Sequence, residues 1–209
     1  GYETPMNRIA LLAAATMAMV LPAAALDQAR FERIAADVFA PVMAEYDIPG
    51  LAVGVVIDGE THVFTAGVAN RKTKAPVTAQ TLFELGSVSK LFTVTLAARA
   101  ERDGVLALDE RIANYLTDLD GTAFGDLTLA ALATHATGGM PLQVPPGVDT
   151  LAELEAWLAR WTPGGTPALT RSYSNVSIGI LGAIVADRLG TSFAKALDGD
   201  LLPALGLEN

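Results

Sequence analysis

The tightest local constraint on this chain is the junction at Gly86, where Phe83-Glu84-Leu85-Gly86 gives way to Ser87-Val88-Ser89-Lys90 and then to the apolar run Leu91–Ala98. Glycine permits a tight turn out of an extended segment, and the run that follows has the length and composition of a helix ending near Asp103-Gly104. Ser87 and Lys90 stand three apart, which places them on one helical face about a turn from each other. Ser87 falls in the first turn. Free backbone N–H groups and the positive end of the helix dipole favour a developing negative charge there. A serine hydroxyl needs a base to take its proton, and a lysine serves only where its surroundings lower its pKa. The junction therefore has the layout of an acyl-transfer nucleophile.

The spacing alone decides little, because Ser192-Phe193-Ala194-Lys195 repeats it. That copy reads as structural: Gly190-Thr191-Ser192 ends one helix and caps the next. Ser87 could be a cap too. What separates the two readings lies elsewhere in the chain.

With 209 residues, 51% of them apolar, the chain can bury one substantial core with room for two lobes around it. A formal net charge of −9 argues against nucleic acid or an anionic membrane surface as a partner, since both call for clustered Lys and Arg. The absence of cysteine excludes disulfides, a thiol nucleophile and zinc–thiolate sites. Met6-Asn7-Arg8, the apolar Ile9–Val20 and the small-residue ending Leu21-Pro22-Ala23-Ala24-Ala25 read as a secretory signal peptide cleaved near Ala25. Pro22 and the alanines make the stretch short and weakly apolar for a retained anchor. Residues 1–25, with Gly1–Pro5 as an extension ahead of Met6, are accordingly set apart from a folded region at 26–209.

Along that region, Leu26–Tyr46 has helical periodicity in Phe31, Ile34, Val38 and Met43, with a kink or a register change expected at Pro41. Leu51–Ile57 and Thr61–Val68 flank Asp58-Gly59 as a hairpin at one edge of a sheet, on which His62 is expected to face solvent. Asn70–Gln80 reads as a surface loop. The helix that begins at Ser87 is apolar nearly all round and is expected to run through the centre of the molecule. Leu108–Leu119 and Thr128–Thr134 read as short helices, and His135 as a hydrogen-bonded structural histidine. The long loop Gly138–Asp149 carries Pro141, Pro145 and Pro146 and has the length of a functional loop. Helices are expected at Leu151–Trp161 and Val176–Leu189, the second packing closely through Gly179 and Gly182. Tyr173 and Asn175, two apart, would point to one side of an extended segment and offer a phenol and an amide to a shared cavity.

Taken together, Ser87, Lys90, Tyr173 and Asn175 supply a nucleophile, a proton acceptor, a second proton-transfer group and an amide. At this point the chain resembles a class C serine β-lactamase over nearly all of residues 26–209. The resemblance is carried by Ile48-Pro49-Gly50-Leu51-Ala52-Val53, Phe83–Lys90, Thr134-His135-Ala136-Thr137-Gly138-Gly139, Pro141-Leu142-Gln143-Val144-Pro145 and Tyr173-Ser174-Asn175. The S-x-x-K element is a known signature of related β-lactamases and penicillin-binding proteins.

The resemblance implies a β-lactamase/transpeptidase-like α+β fold, with an antiparallel sheet lobe and an all-helical lobe. It implies that Ser87 opens a β-lactam through an acyl-enzyme, its own N–H forming one arm of the oxyanion hole. Lys90 and Tyr173 would share the general-base work in an order the sequence leaves open, and Asn175 and Gln143 would hold the substrate's acyl-amide side chain. The implied protein is periplasmic, uses no metal or cofactor, has no stable membrane partner and is a monomer when complete. The family's Lys-Thr-Gly or Lys-Ser-Gly element has no counterpart here; Lys72-Thr73-Lys74 is the nearest approach and lies elsewhere. The resemblance thus implies an N-terminal fragment whose C-terminal strands and last helix are missing, poorly active and exposing a sheet edge. A D-alanyl-D-alanine carboxypeptidase, a β-lactamase-like esterase and a non-hydrolytic penicillin-binding sensor share the layout. The Pro-Leu-Gln-Val-Pro loop with Gln143 favours the β-lactamase among them.

Overall fold

Residues 26–207 are described in the computed structural model of the chain, in two units that meet in sequence at Phe83 and Glu84. The leader expected at 1–25 lies outside the described residues.

In the first unit, the Asp27 carboxylate accepts the Arg30 N–H at 2.7 Å and caps helix α1, Gln28–Glu45. The helix runs through Pro41. Pro41 and Asp37, whose carbonyl loses its donor, are both exposed, so water can replace the missing bond. Strands β1, Gly50–Ile57, and β2, Glu60–Gly67, pair antiparallel with Ile57 opposite Glu60. Asp58 and Gly59 between them both have left-handed backbone, φ +52° and +85°, which is the two-residue hairpin turn whose twist matches the strands.

Register then fixes the faces. Leu51, Val53 and Val55 lie opposite Ala66, Phe64 and His62, and α1 packs on this pair of strands. His62 is therefore not solvent-facing as its sequence suggested: it is only 5% exposed, with its ring 5.6 Å from that of Phe31. The stripe expected on α1 is also narrower than its periodicity. Phe31 and Ala35 are buried while Ile34 and Val38 are exposed, because two strands cover only a strip of the helix. On the opposite sheet face Val56 and Val63 are exposed.

The second unit is helical. A 3₁₀ turn at Gly86–Val88 leads into α2, Ser89–Arg102, and is followed by α3, Leu129–Ala133, α4, Leu151–Arg160, and α5, Asn175–Arg188. A short α6, Phe193–Ala196, passes through a wide turn at Leu197–Leu201 into α7, Leu202–Ala204. The core is built from Leu96, Ala97, Phe124, Leu129, Leu132 and Leu181, among others. Its central contact joins α2 to α5 at Gly182, where a Cβ would come within 3.3 Å of Thr93 and 3.2 Å of Phe193. Gly179, expected to pack in the same way, has no atom within 4 Å of its would-be Cβ and faces open space.

Helix α2 is not buried all round. It buries Thr93, Leu96, Ala97 and Ala100 and leaves Leu91 67% exposed, because α5 and its neighbours meet one face only. The helix expected over Leu108–Leu119 is instead two 3₁₀ turns, Ile112–Asn114 and Thr117–Leu119. The Ile112 and Ala113 N–H groups donate to the carbonyls of Leu127 and Gly125, which draws the backbone out of a continuous helix. No single helix among the described residues is long and apolar enough to cross a membrane.

Leu181 is fully buried, so Leu181→Ala is expected to cost about 2–5 kcal/mol of unfolding free energy. Leu151→Ala, at a position 79% exposed, is expected to change it by less than about 0.5 kcal/mol. Urea titration of the two variants beside the parent chain measures both.

Candidate active site

Gly86 opens the 3₁₀ turn with φ +54°, left-handed backbone that glycine adopts freely, and presents Ser87 to solvent ahead of α2. The next turn brings back Lys90, whose Nζ donates to Ser87 Oγ at 3.1 Å. The duplicate motif behaves differently: Ser192 Oγ accepts the Lys195 backbone N–H at 3.3 Å, an ordinary helix cap. One serine serves its own helix, whereas the other faces a cation.

A second set of bonds delivers Tyr173. The loop from Thr134 to Leu142 is stitched along the segment from Gly165 to Asn175. Ala168 N–H donates to Ala136 O at 2.8 Å, Gly138 N–H to Thr170 O at 3.1 Å and Ser172 N–H to His135 O at 2.8 Å. Gly138 has φ +86°, and a Cβ there would lie 2.6 Å from Gly165 O, so the stitching requires glycine. Ser172 Oγ donates to Met140 O at 3.0 Å and Ser174 Oγ to Pro141 O at 2.7 Å, fixing the residues on either side of Tyr173. Ser174 Oγ also accepts the Ser177 N–H at 3.1 Å and so caps α5. Asn175 is thus the first residue of that helix and not part of an extended pair with Tyr173.

Tyr173 is 42% exposed, and the Lys90 ammonium lies 4.9 Å from its ring centroid. Lys90, and after it Ser87, hold the Tyr173 phenol below its ordinary pKa by favouring its ionised form. The His135 ring sits 4.6 Å from that of Tyr173, tilted by 42°, and its Nδ1 accepts the Ser174 N–H at 3.2 Å. Burial lowers the His135 pKa, and Arg171 and Lys90 lower it further.

Of the residues singled out from the sequence, Ser87, Lys90 and Tyr173 are brought together. Asn175 lines an open cleft of about 430 Å³ with Ser87 and Lys90. It also lines an adjoining cavity of about 300 Å³ with Gln143 and Val144. Its Oδ1 is buried without a hydrogen-bond partner. Gln143 shares that second cavity and does not line the first. Ser172 and Ser174 did not stand out in the sequence, although their alternation around Tyr173 was the available signal.

The model of the β-lactamase family matches residues 35–209. The chain belongs to the β-lactamase family. The β-lactamase of Lysobacter lactamgenus is 45% identical over 170 residues, covering 81% of this chain and 44% of that protein. Among solved structures, the class C β-lactamase from Rhodobacter sphaeroides is 52% identical with a TM-score of 0.79, over 82% of this chain and 48% of that one. A class C β-lactamase in complex with cefoxitin is 36% identical with a TM-score of 0.81, over 87% of this chain and 51% of that one. The chain therefore spans about half the length of the β-lactamases it matches.

Because Lys90 is the largest influence on the Tyr173 phenol, Lys90→Met is expected to move the Tyr173 titration upward toward 10.0. Tyrosinate absorbance against pH, with Tyr173→Phe as the subtraction reference, reads that shift.

Proposed function

We propose that Ser87 is the nucleophile of a β-lactam hydrolase. The observation that carries the reading is the convergence of Lys90 Nζ on Ser87 Oγ at 3.1 Å with a Tyr173 phenol whose pKa is lowered by those same two residues. A hydroxyl flanked by a cation and an acidified phenol can lose its proton as it attacks.

In the acylation step, Ser87 Oγ bonds to the lactam carbonyl carbon and its proton passes to the Lys90–Tyr173 pair. The oxyanion gathers at the 3₁₀ turn ahead of α2, where the Ser87 N–H serves as its donor. The lactam C–N bond then breaks and the ring nitrogen takes the proton back from the pair, leaving an ester on Ser87. In deacylation Tyr173 accepts a proton from water, the hydroxide attacks the ester carbonyl, and the C–O bond to Ser87 breaks as Oγ is reprotonated. The product is the ring-opened amino acid.

Asn175 and Gln143 hold the acyl-amide side chain in this scheme. Asn175 lines both cavities and brings its side-chain amide to them. The relative solved with cefoxitin supports a β-lactam as substrate. On this reading the protein works in the periplasm, as a monomer when complete, on a small-molecule β-lactam.

A fluorescent penicillin, read by intact mass, tests the proposal. The expected result is one adduct per chain, absent in Ser87→Ala, with the acylation rate of Tyr173→Phe lower by about 10²–10⁴. An adduct that persists in Ser87→Ala sinks the assignment. Turnover of nitrocefin, weighed against a peptide ending in D-Ala-D-Ala and a p-nitrophenyl ester, separates a β-lactamase from the carboxypeptidase and esterase readings.

A further inference from the structure

We propose that His135 is the positioning residue that holds Tyr173 at Ser87, and that it does so only as the neutral imidazole. The inference rests on the reading of Tyr173 as a proton carrier and adds to it the group that governs where Tyr173 stands.

Four bonds fix the two residues beside Tyr173 to the Thr134–Leu142 loop. Three of them end on main-chain carbonyls, those of His135, Met140 and Pro141. Those acceptors cannot titrate. The fourth ends on His135 Nδ1, which accepts the Ser174 N–H at 3.2 Å. His135 is therefore tied to both neighbours of Tyr173, by its carbonyl to Ser172 and by its ring to Ser174, while the same ring lies 4.6 Å from the phenol ring. The left-handed backbone at His135, φ +61°, is uncommon for a residue with a side chain, although histidine is among those enriched there. It is held by the bonds on either side and allows carbonyl and imidazole to reach one segment.

The bond to Ser174 sets the protonation state. Nδ1 accepts only when it carries no proton, so the neutral ring carries its hydrogen on Nε2. Protonation would set an Nδ1–H against the Ser174 N–H and remove the fourth bond. It would also place a cation in a buried position facing Arg171 and Lys90, the two charged groups that act on the ring, with the Tyr173 phenol beside it. Burial and those cations hold His135 neutral into mildly acidic solution. Below that range the clamp opens and Tyr173 loses its register with Ser87.

Two substitutions separate positioning from simple packing. His135→Asn keeps an acceptor near the place of Nδ1 and tolerates left-handed backbone, whereas His135→Phe keeps a ring against Tyr173 and loses the acceptor. Acylation by the fluorescent penicillin at pH 7 is expected within about threefold of the parent for Asn and lower by about tenfold or more for Phe. The parent is expected to lose acylation rate as pH falls through the His135 titration, and His135→Asn to lack that step. Amide exchange gives a readout independent of acylation: the Ser174 N–H is expected to be protected above the His135 pKa and to open below it. The chain has only two histidines, so His62→Gln assigns the His135 titration in the NMR spectrum. Parent-like acylation in His135→Phe, or Ser174 exchange indifferent to the His135 titration, overturns the proposal. A parent chain that takes no adduct would count against Ser87 as nucleophile, and Ser174 exchange would still decide whether the clamp exists.

Discussion

The contact that the site depends on is the close approach of α2 and α5 at Gly182. Thr93 and Phe193 occupy the space a side chain there would need, and the approach sets the N-terminal ends of the two helices against one cleft. Ser87 and Lys90 precede and open α2, while Tyr173 and Asn175 precede and open α5. Chemistry borne by residues more than eighty apart in sequence is assembled by packing in the core. Each helix start turns the positive end of its dipole toward the same place, an environment that favours the anionic species of acyl transfer.

Charge is arranged to match. Lys90 lies within reach of Ser87, and its proximity lowers the pKa of both the Tyr173 phenol and the His135 imidazole. The same cation thus has opposite consequences for charge on its two neighbours: it favours the ionised phenolate and disfavours the ionised imidazolium. The result is a phenol ready to give up its proton beside a ring that stays neutral and keeps its lone pair for Ser174.

Much of this was legible in the sequence. The hairpin at Asp58-Gly59 is a local instruction, since both residues accept left-handed backbone at little cost. The helix that follows Gly86, the cap at Ser192 and the apolar helix after Tyr173 follow from local preference too. Where local preference misled, tertiary contact overrode it. His62 has a polar residue's composition and a buried residue's register, and register depends on what covers the sheet. The helix expected at Leu108–Leu119 gave up its continuity because backbone donors at Ile112 and Ala113 found partners near Leu127.

The sequence by itself determined the chemical inventory: a serine and a lysine one helical turn apart, a tyrosine and an asparagine ahead of an apolar helix, and a loop carrying Gln143. These follow from residue type and short spacing, which local geometry converts directly into position. Only the tertiary structure decided that Tyr173 stands against Lys90, that Asn175 opens on two cavities, and that His135 binds both neighbours of Tyr173. Those outcomes depend on segments distant in sequence meeting through close-packed side chains and satisfied backbone groups, and no local spacing encodes such a meeting.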